Sequence, residues 1–244
     1  MRTVAIIPAR GGSSRIVRKN LCLVGQHPLV AHTIIAAGEA SHIDGVFVST
    51  DDDEIVCVAR AYGAEVIRRP PQLATCEAPT EPALQHAVLE IERRTGEPVQ
   101  TVVMLQPTSP MRGAARIDEA VELLHRTSCD TVVGVVRDVG YYFLGDMDSD
   151  GRLRVSYDPN HRLRTQDIPP RYRENGAIYA MTRRQLMEHG CRMGRRMQAL
   201  VMDERESIDI DTPVDLELCR VLSEIDRRRT CATQNEPADR CALQ

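Results

Sequence analysis

Two short segments carry residues able to handle a polyphosphate. The first is Pro8-Ala-Arg-Gly-Gly-Ser-Ser-Arg-Ile-Val-Arg-Lys-Asn20. It holds Gly11 and Gly12, the hydroxyls of Ser13 and Ser14, and four cations, Arg10, Arg15, Arg18 and Lys19. Glycine lets a backbone approach closely, successive amides form a concave anion site, and arginine adds bidentate phosphate contacts. Each charge-assisted hydrogen bond contributes roughly 1.5–3 kcal/mol net, so several are needed to hold a triphosphate. The spacing fits neither the Walker loop nor the dinucleotide fingerprint. The second segment is Ile208-Asp-Ile-Asp211. On a strand, Asp209 and Asp211 would share one face and the isoleucines would enter the core on the other. Two hard oxygen ligands beside a phosphate loop suit Mg²⁺, which would neutralise phosphate charge. Asp211 also precedes a helix start, whose partial positive charge favours the ionised form. Residue type alone leaves plainer alternatives open: a solvated Arg-rich turn for the first segment, cap and surface carboxylates for the second.

Other reactive side chains are less telling. Asp51 to Glu54 resembles a metal cluster, but four acids opening a helix complement its dipole, so they are read as a cap, with Asp51 kept as a candidate substrate contact. Asp130 and Asp203 read as surface. The seven His show no ligand spacing, and Met193 and Met197 read as packing. The eight Cys include no Cys-x-x-Cys pair. The chain opens on a strand-like run rather than a signal peptide, so a reduced, cytoplasmic setting is expected.

The elements that must position these residues follow from periodicity. Strands are expected at Thr3–Ile7, Gly45–Ser49, Glu65–Ile67, Thr101–Leu105, Thr131–Val136, Gly176–Met181, Gln198–Met202 and Ile208–Ile210. Helices are expected at Pro28–Ala40, Asp52–Tyr62, Thr80–Arg94, Ala114–Arg126 and Pro213–Arg227, with Thr212 as the last N-cap and Pro213 at its first position. Ala83, Leu84, Ala87, Val88 and Ile91 fall on one face at a period of 3.6. Short apolar strands alternating with helices predict a mostly parallel sheet covered on both faces, a Rossmann-like three-layer α/β/α sandwich with ligands at the carboxyl ends of the strands. Asp-Pro and Pro-Pro breakers and a turn cluster interrupt this pattern, predicting a small inserted lobe at about 138–174. The whole reads as a single domain over 1–228, followed by a polar tail at 229–244 expected to be disordered.

Composition narrows the classes. Of 31 basic residues, only Lys19 is lysine. A net charge of −4, no Trp and two Phe argue against a nucleic-acid binder held by bulk charge or base stacking. No apolar run approaches the roughly 20 residues of a membrane span. The core must be aliphatic.

The first segment resembles the opening of the acylneuraminate cytidylyltransferases, which join CMP to sialic acid and related nine-carbon sugar acids. Further matches follow in register: Ser49-Thr-Asp-Asp-Asp-Glu-Ile55, Arg69-Pro70, Leu105-Gln-Pro-Thr-Ser-Pro-Met-Arg112, Glu174-Asn-Gly-Ala-Ile-Tyr179 and Ser207-Ile-Asp-Ile-Asp-Thr-Pro-Val-Asp215. Together they span residues 3 to about 225. The resemblance implies that an acceptor oxygen attacks the α-phosphorus of CTP and pyrophosphate leaves. It places Arg10 and Asn20 at the nucleotide, with Gly11, Gly12 and Ser13 beside it, and Lys19 at the phosphates. Arg69 and Thr80 would seat base and ribose. Gln106 and Tyr179 would face the acceptor. Arg10, Lys19 and Asp211 are the expected catalytic set, Asp209 and Asp211 the expected Mg²⁺ ligands. A homodimer is also implied, with the lobe reaching over the partner's site.

Departures at three places mark this chain: the first loop, the Cys76–Thr80 segment and the stretch after Val136. The family's usual Lys and Gly stand as Ser14 and Arg15, so a cation is lost and regained one residue later. The usual Pro is Val17. The family's Asp-Thr-Ala-Ser/Thr segment is Cys76-Glu-Ala-Pro-Thr80, keeping only the final hydroxyl. The stretch after Val136 also lacks the usual acceptor segment. Arg164, with Arg137, Arg162, Arg171 and Arg173, could hold a carboxylate or a phosphonate, because arginine pairs bidentately with both. The expected partners are therefore CTP and a small anionic acceptor, a sialic-acid-like nonulosonate first and a small phosphonate second. A metal-dependent glycosyltransferase and a catalytically inert nucleotide-binding module complete the readings.

Overall fold

The computed structural model describes residues 2–12 and 15–234, with side chains to Arg228. In chain order the elements are β1 (Arg2–Pro8), β2 (Leu23–Val24), β3 (His27–Pro28), α1 (Leu29–Glu39), β4 (Gly45–Thr50), α2 (Asp53–Ala61), β5 (Glu65–Arg68) and α3 (Thr80–Thr95). There follow β6 (Val99–Leu105), α4 (Ala114–Thr127), β7 (Thr131–Arg137), β8 (Gly145–Met147), β9 (Leu153–Val155), β10 (Tyr172–Thr182), α5 (Arg183–His189), β11 (Met197–Met202) and α6 (Pro213–Gln234).

Seven strands form one sheet in the order β11-β7-β10-β6-β1-β4-β5. All pairings are parallel except those of β10, which runs antiparallel between β6 and β7. The expected α/β/α sandwich is what the chain forms. One face of the sheet carries α1, α2 and α4 over Ile7, Val30, Ile34, Val103, Ile117 and Val121. The other carries α3 and α5 over Ile6, Phe47, Leu84, Val88, Ile91 and Leu186. Most of these side chains are fully buried, and each contributes roughly 1.5–3 kcal/mol of transfer free energy. Buried alanines in the same clusters, Ala37, Ala59, Ala87 and Ala120, let the helices lie close to the sheet.

Three expectations change. Ile208–Ile210 is not a strand but an extended loop between β11 and α6. Its Ile210 N–H donates to the Thr108 carbonyl at 2.8 Å, a single bond in place of a ladder. Ile210 is nevertheless fully buried, against Val24, Leu29, Leu216 and Cys219. The last helix continues past Arg227 to Gln234; its turns are held by Glu224 with Arg227 and Arg228 at i,i+3 and i,i+4. The remainder of the expected tail, 235–244, lies outside the described residues. Finally, β10 starts at Tyr172, four residues early, with a register shift between Glu174 and Tyr179 where Gly176 takes φ 74°.

The segment between β7 and β10 is where the inserted lobe was expected. It is a small β8–β9 hairpin and three single 3₁₀ turns. Tyr142 stacks on Tyr157 with centroids 5.3 Å apart, and Phe143 meets both edge-on. Leu144, Met147 and Leu153 remain exposed.

Candidate active site

The carboxyl ends of β1 and β6 open into a cavity of about 510 Å³. Its walls bring together Arg10, Gly12, Arg15, Lys19 and Asn20 from the first loop, Arg69 and Thr80, Gln106 and Thr108 after β6, and Asp209 and Asp211. The two segments singled out by their chemistry, some two hundred positions apart, thus face one space.

The first loop is held in shape by the acids at the start of α2. Asp52 caps that helix, accepting from the Glu54 and Ile55 N–H groups at 2.8 and 3.0 Å. Asp53 pairs with Arg68. Glu54 pairs with Arg18, which adopts the left-handed region at φ 54°. Asp51 accepts the Gly11 N–H at 3.0 Å. The cap reading therefore stands, and Asp51 also serves as an anchor for the loop. The Gly11 amide is spent on Asp51, and Gly11 does not line the cavity; this corrects the expectation that it helps form the anion site. Its glycine is required for another reason. A Cβ at Gly11 would lie 2.7 Å from Asp52 Oδ2. Gly12 does line the cavity. Ser13 lies outside the described residues, as does Ser14.

Asn20 Nδ2 donates to the Arg10 carbonyl at 2.9 Å, closing the loop on itself. Arg10 Nη1 donates to the Thr75 carbonyl at 2.7 Å, tying the loop to the Thr75–Thr80 wall, where Cys76 also faces the cavity. Arg69 is nearly buried, with Nε and Nη2 on the Ser49 hydroxyl and carbonyl at 3.2 and 2.8 Å. Burial holds its pKa below the usual arginine value.

The acidic segment is anchored on three sides. Lys19 Nζ donates to the Ile210 carbonyl at 2.6 Å and to Asp211 Oδ1 at 3.3 Å. Asn175 Nδ2 donates to Ser207 Oγ at 2.9 Å. Thr212-Pro-Val-Asp215 forms a reciprocal capping box: Asp215 Oδ2 accepts from the Thr212 N–H at 2.7 Å, and the Asp215 N–H donates to Thr212 Oγ1 at 3.3 Å. Asp215 Oδ2 also accepts the Asp211 N–H. The Thr-x-x-Asp spacing was the signal for Asp215, which sequence reasoning left unassigned.

Both aspartates face the cavity without needing a strand. Asp209 Oδ1 is buried and makes no hydrogen bond. Burial first, and then nearby Asp211, raise the Asp209 pKa above the ordinary carboxylate value, against a hydrogen bond from Thr108. Two carboxylates, one with an orphaned buried oxygen, fit a Mg²⁺ that takes its other ligands from phosphate and water. Among the described residues no cluster of three or more His, Cys, Asp or Glu could hold an ion by itself.

The acceptor candidates divide. Gln106 lines the cavity, and Gly176 makes room for it: a Cβ there would lie 2.6 Å from Gln106 Oε1. Tyr179 does not line it. Its hydroxyl donates to Glu174 Oε2 at 2.9 Å, and the Arg192 guanidinium lies 5.1 Å from its ring centre. Burial, with Glu174, pushes its pKa up to about 12. Arg164 sits in the lobe, away from the cavity walls, paired with Asp167 at 2.7 Å. Thr108 and Thr75 were not anticipated; both come from loops whose path only the fold defines.

A cationic glycine loop and a carboxylate pair on one cavity is nucleotidyl-transfer architecture, and residues 4–228 match the model of the cytidylyltransferase family. The chain belongs to that family. This cytidylyltransferase is 35% identical over 234 residues to the CMP-N,N'-diacetyllegionaminic acid synthase of Legionella pneumophila, covering 93% of this chain and 98% of that one. It is 32% identical over 235 residues to the N-acylneuraminate cytidylyltransferase of Escherichia coli, covering 94% of this chain and 54% of the relative. The cytidylyltransferase chain thus spans about half the length of that relative and nearly all of the Legionella protein. Its fold matches a solved CMP:2-keto-3-deoxy-manno-octonic acid synthetase complexed with CTP at a TM-score of 0.68, with 17% identity over 93% of this chain and all of the other. No helix among the described residues is long and apolar enough to cross a membrane.

Proposed function

We propose that this cytidylyltransferase transfers CMP from CTP to a sialic-acid-like nonulosonate. The acceptor oxygen bonds to the α-phosphorus, the bridge to the β-phosphorus breaks, and pyrophosphate leaves. The observation that carries the reading is the shared cavity of about 510 Å³, lined by Arg10, Asp209 and Asp211 and by Arg15 and Lys19, both of which pair with Asp211. The nonulosonate is favoured by the names of the relatives that match along most of this chain.

In this reading Arg10, Gly12 and Asn20 seat the nucleotide, and Arg69 and Thr80 border the base and ribose. Lys19 and Arg15 meet the phosphates. Asp209 and Asp211 would hold Mg²⁺, which supplies charge neutralisation at the α-phosphate and the leaving pyrophosphate. Gln106 meets the acceptor. Tyr179, beside the cavity rather than on its wall, is held by Glu174. The lobe, with its exposed Leu144, Met147 and Leu153, is the surface through which two copies would pair as a homodimer, bringing Arg164 to the partner's site. The six cysteines described are free thiols, consistent with a reduced cytoplasmic setting.

The test is pyrophosphate release from CTP across a panel of acceptors. Release with nonulosonic acids, and none from CTP alone, is expected. Release with phosphonates only would replace the acceptor class. Binding of CTP without turnover on any acceptor would reject transfer altogether.

A further inference from the structure

Asp211 is the more heavily engaged of the two candidate metal ligands. Both of its oxygens are taken by cations of the first loop: Oδ1 by Lys19 Nζ at 3.3 Å, Oδ2 by Arg15 Nη1 at 2.9 Å. The two cations are held very differently. Lys19 has a side chain only 14% exposed and is fixed by the Ile210 carbonyl as well. Arg15 has a side chain 66% exposed and lies on the cavity wall. Its position is also where this chain departs from the family's usual glycine. A divalent cation coordinated by Asp211 Oδ2 would compete with the Arg15 guanidinium for the same lone pairs. A triphosphate in the cavity offers that guanidinium a better partner, because arginine pairs bidentately with phosphate oxygens.

We infer that Arg15 is an exchangeable counter-cation for Asp211, displaced by metal and received by the nucleotide phosphates, so that metal and CTP binding assist each other through one side chain. Without nucleotide, Arg15 screens Asp211 and weakens metal binding. With nucleotide, Arg15 turns to the phosphates and frees Asp211. The fixed Lys19 stays with the acidic segment throughout. This rests on the reading of Asp209 and Asp211 as the metal ligands.

The experiment measures Mn²⁺ binding to nucleotide-free protein by electron paramagnetic resonance, and CTP binding in EDTA by calorimetry. Arg15→Gln should bind Mn²⁺ alone about 2- to 5-fold more tightly than the unmodified chain, the scale of one exposed ion pair, while binding metal-free CTP more weakly. Arg18→Gln removes the same charge from the same loop, but from a residue paired with Glu54; it should leave Mn²⁺ affinity within about twofold. An Arg15→Gln protein of unchanged Tm that binds Mn²⁺ no more tightly would overturn the inference. So would an equal gain in both variants, which would make the effect one of net charge. Asp211→Asn separates the two levels: if it leaves Mn²⁺ affinity untouched, the metal assignment itself falls.

Discussion

The Lys19 ammonium lies 2.6 Å from the Ile210 carbonyl, joining two points 191 residues apart in the chain. The bond fixes the distance between the cationic loop and the acidic pair, and so the width of the cavity. Lys19→Ala should lower CTP affinity by about 10- to 100-fold, the scale of one or two charge-assisted bonds, and acceptor affinity far less. Calorimetric titration of CTP and acceptor separately tests this. An equal loss for both would show that Lys19 shapes the whole site rather than the phosphate end.

Asp211→Ala should cost about 10²–10³-fold in turnover, as removing one group that stabilises transition-state charge does elsewhere. Folding should be spared, because the carboxylate is half-exposed and its neighbours pack on Ile210 instead. Steady-state rates and thermal melts on the same preparation decide the matter. Full activity would remove Asp211 from the chemistry.

Asp209 carries a stability cost. Burial raises its pKa, so the folded protein resists ionising it. As pH rises above the ordinary carboxylate value, the unfolded chain loses its proton first, and stability falls until the folded carboxyl also ionises. Asp209→Asn removes that penalty. In EDTA at neutral pH its Tm should exceed that of the unmodified chain, by roughly 2–4 °C for each kcal/mol relieved. The gain should vanish at pH values below the carboxylate range. Melts from acid to neutral pH test the sign; a lower Tm for the variant at neutral pH would show the charge to be stabilising.

Gly11→Ala forces a methyl to within 2.7 Å of Asp52 Oδ2 and 2.8 Å of its Cβ. Because Asp52 also caps α2, the clash should cost about 1–3 kcal/mol, read as a lower denaturation midpoint. CTP affinity should fall with it as the loop is pushed outward. An unchanged midpoint would mean that loop and cap move apart freely.

Thr212→Ala breaks the capping box of α6 and should cost about 0.5–2 kcal/mol in stability. The same loss loosens Asp215 from the Asp211 N–H, so turnover should drop while acceptor selectivity holds.

The parallel sheet and its helices were legible because their residues are locally consistent. The stripe Ala83, Leu84, Ala87, Val88 and Ile91 can only be one face of a helix, and all five are buried. The acidic pair was legible by type but not by conformation. Alternation in Ile208-Asp-Ile-Asp211 signals a strand, yet the segment lies beyond the sheet and is held by Lys19, Thr108 and Asn175. Only Ile210 of the four is fully buried, and periodicity does not distinguish a ladder from scattered tertiary bonds. Gly11 was legible as a close approach, though the approaching group is Asp52 rather than a phosphate. Arg69 lines the cavity, but its commitment to Ser49 depends on the β4–β5 pairing, which residue spacing does not encode.

Among the described residues, strand β10 is the only antiparallel member of the sheet and its sole bridge between β6 and β7. Until residues 172–182 leave the ribosome, β7 has no neighbour, since β11 is made later still. The sheet therefore cannot close progressively during synthesis; it waits with an open slot one strand wide. The strand that fills this slot carries, in its register shift, Asn175 and Gly176, the residues that seat Ser207 and Gln106. The scaffold is thus completed before the binding cavity, whose wall still awaits Asp209 and Asp211 when β10 has docked.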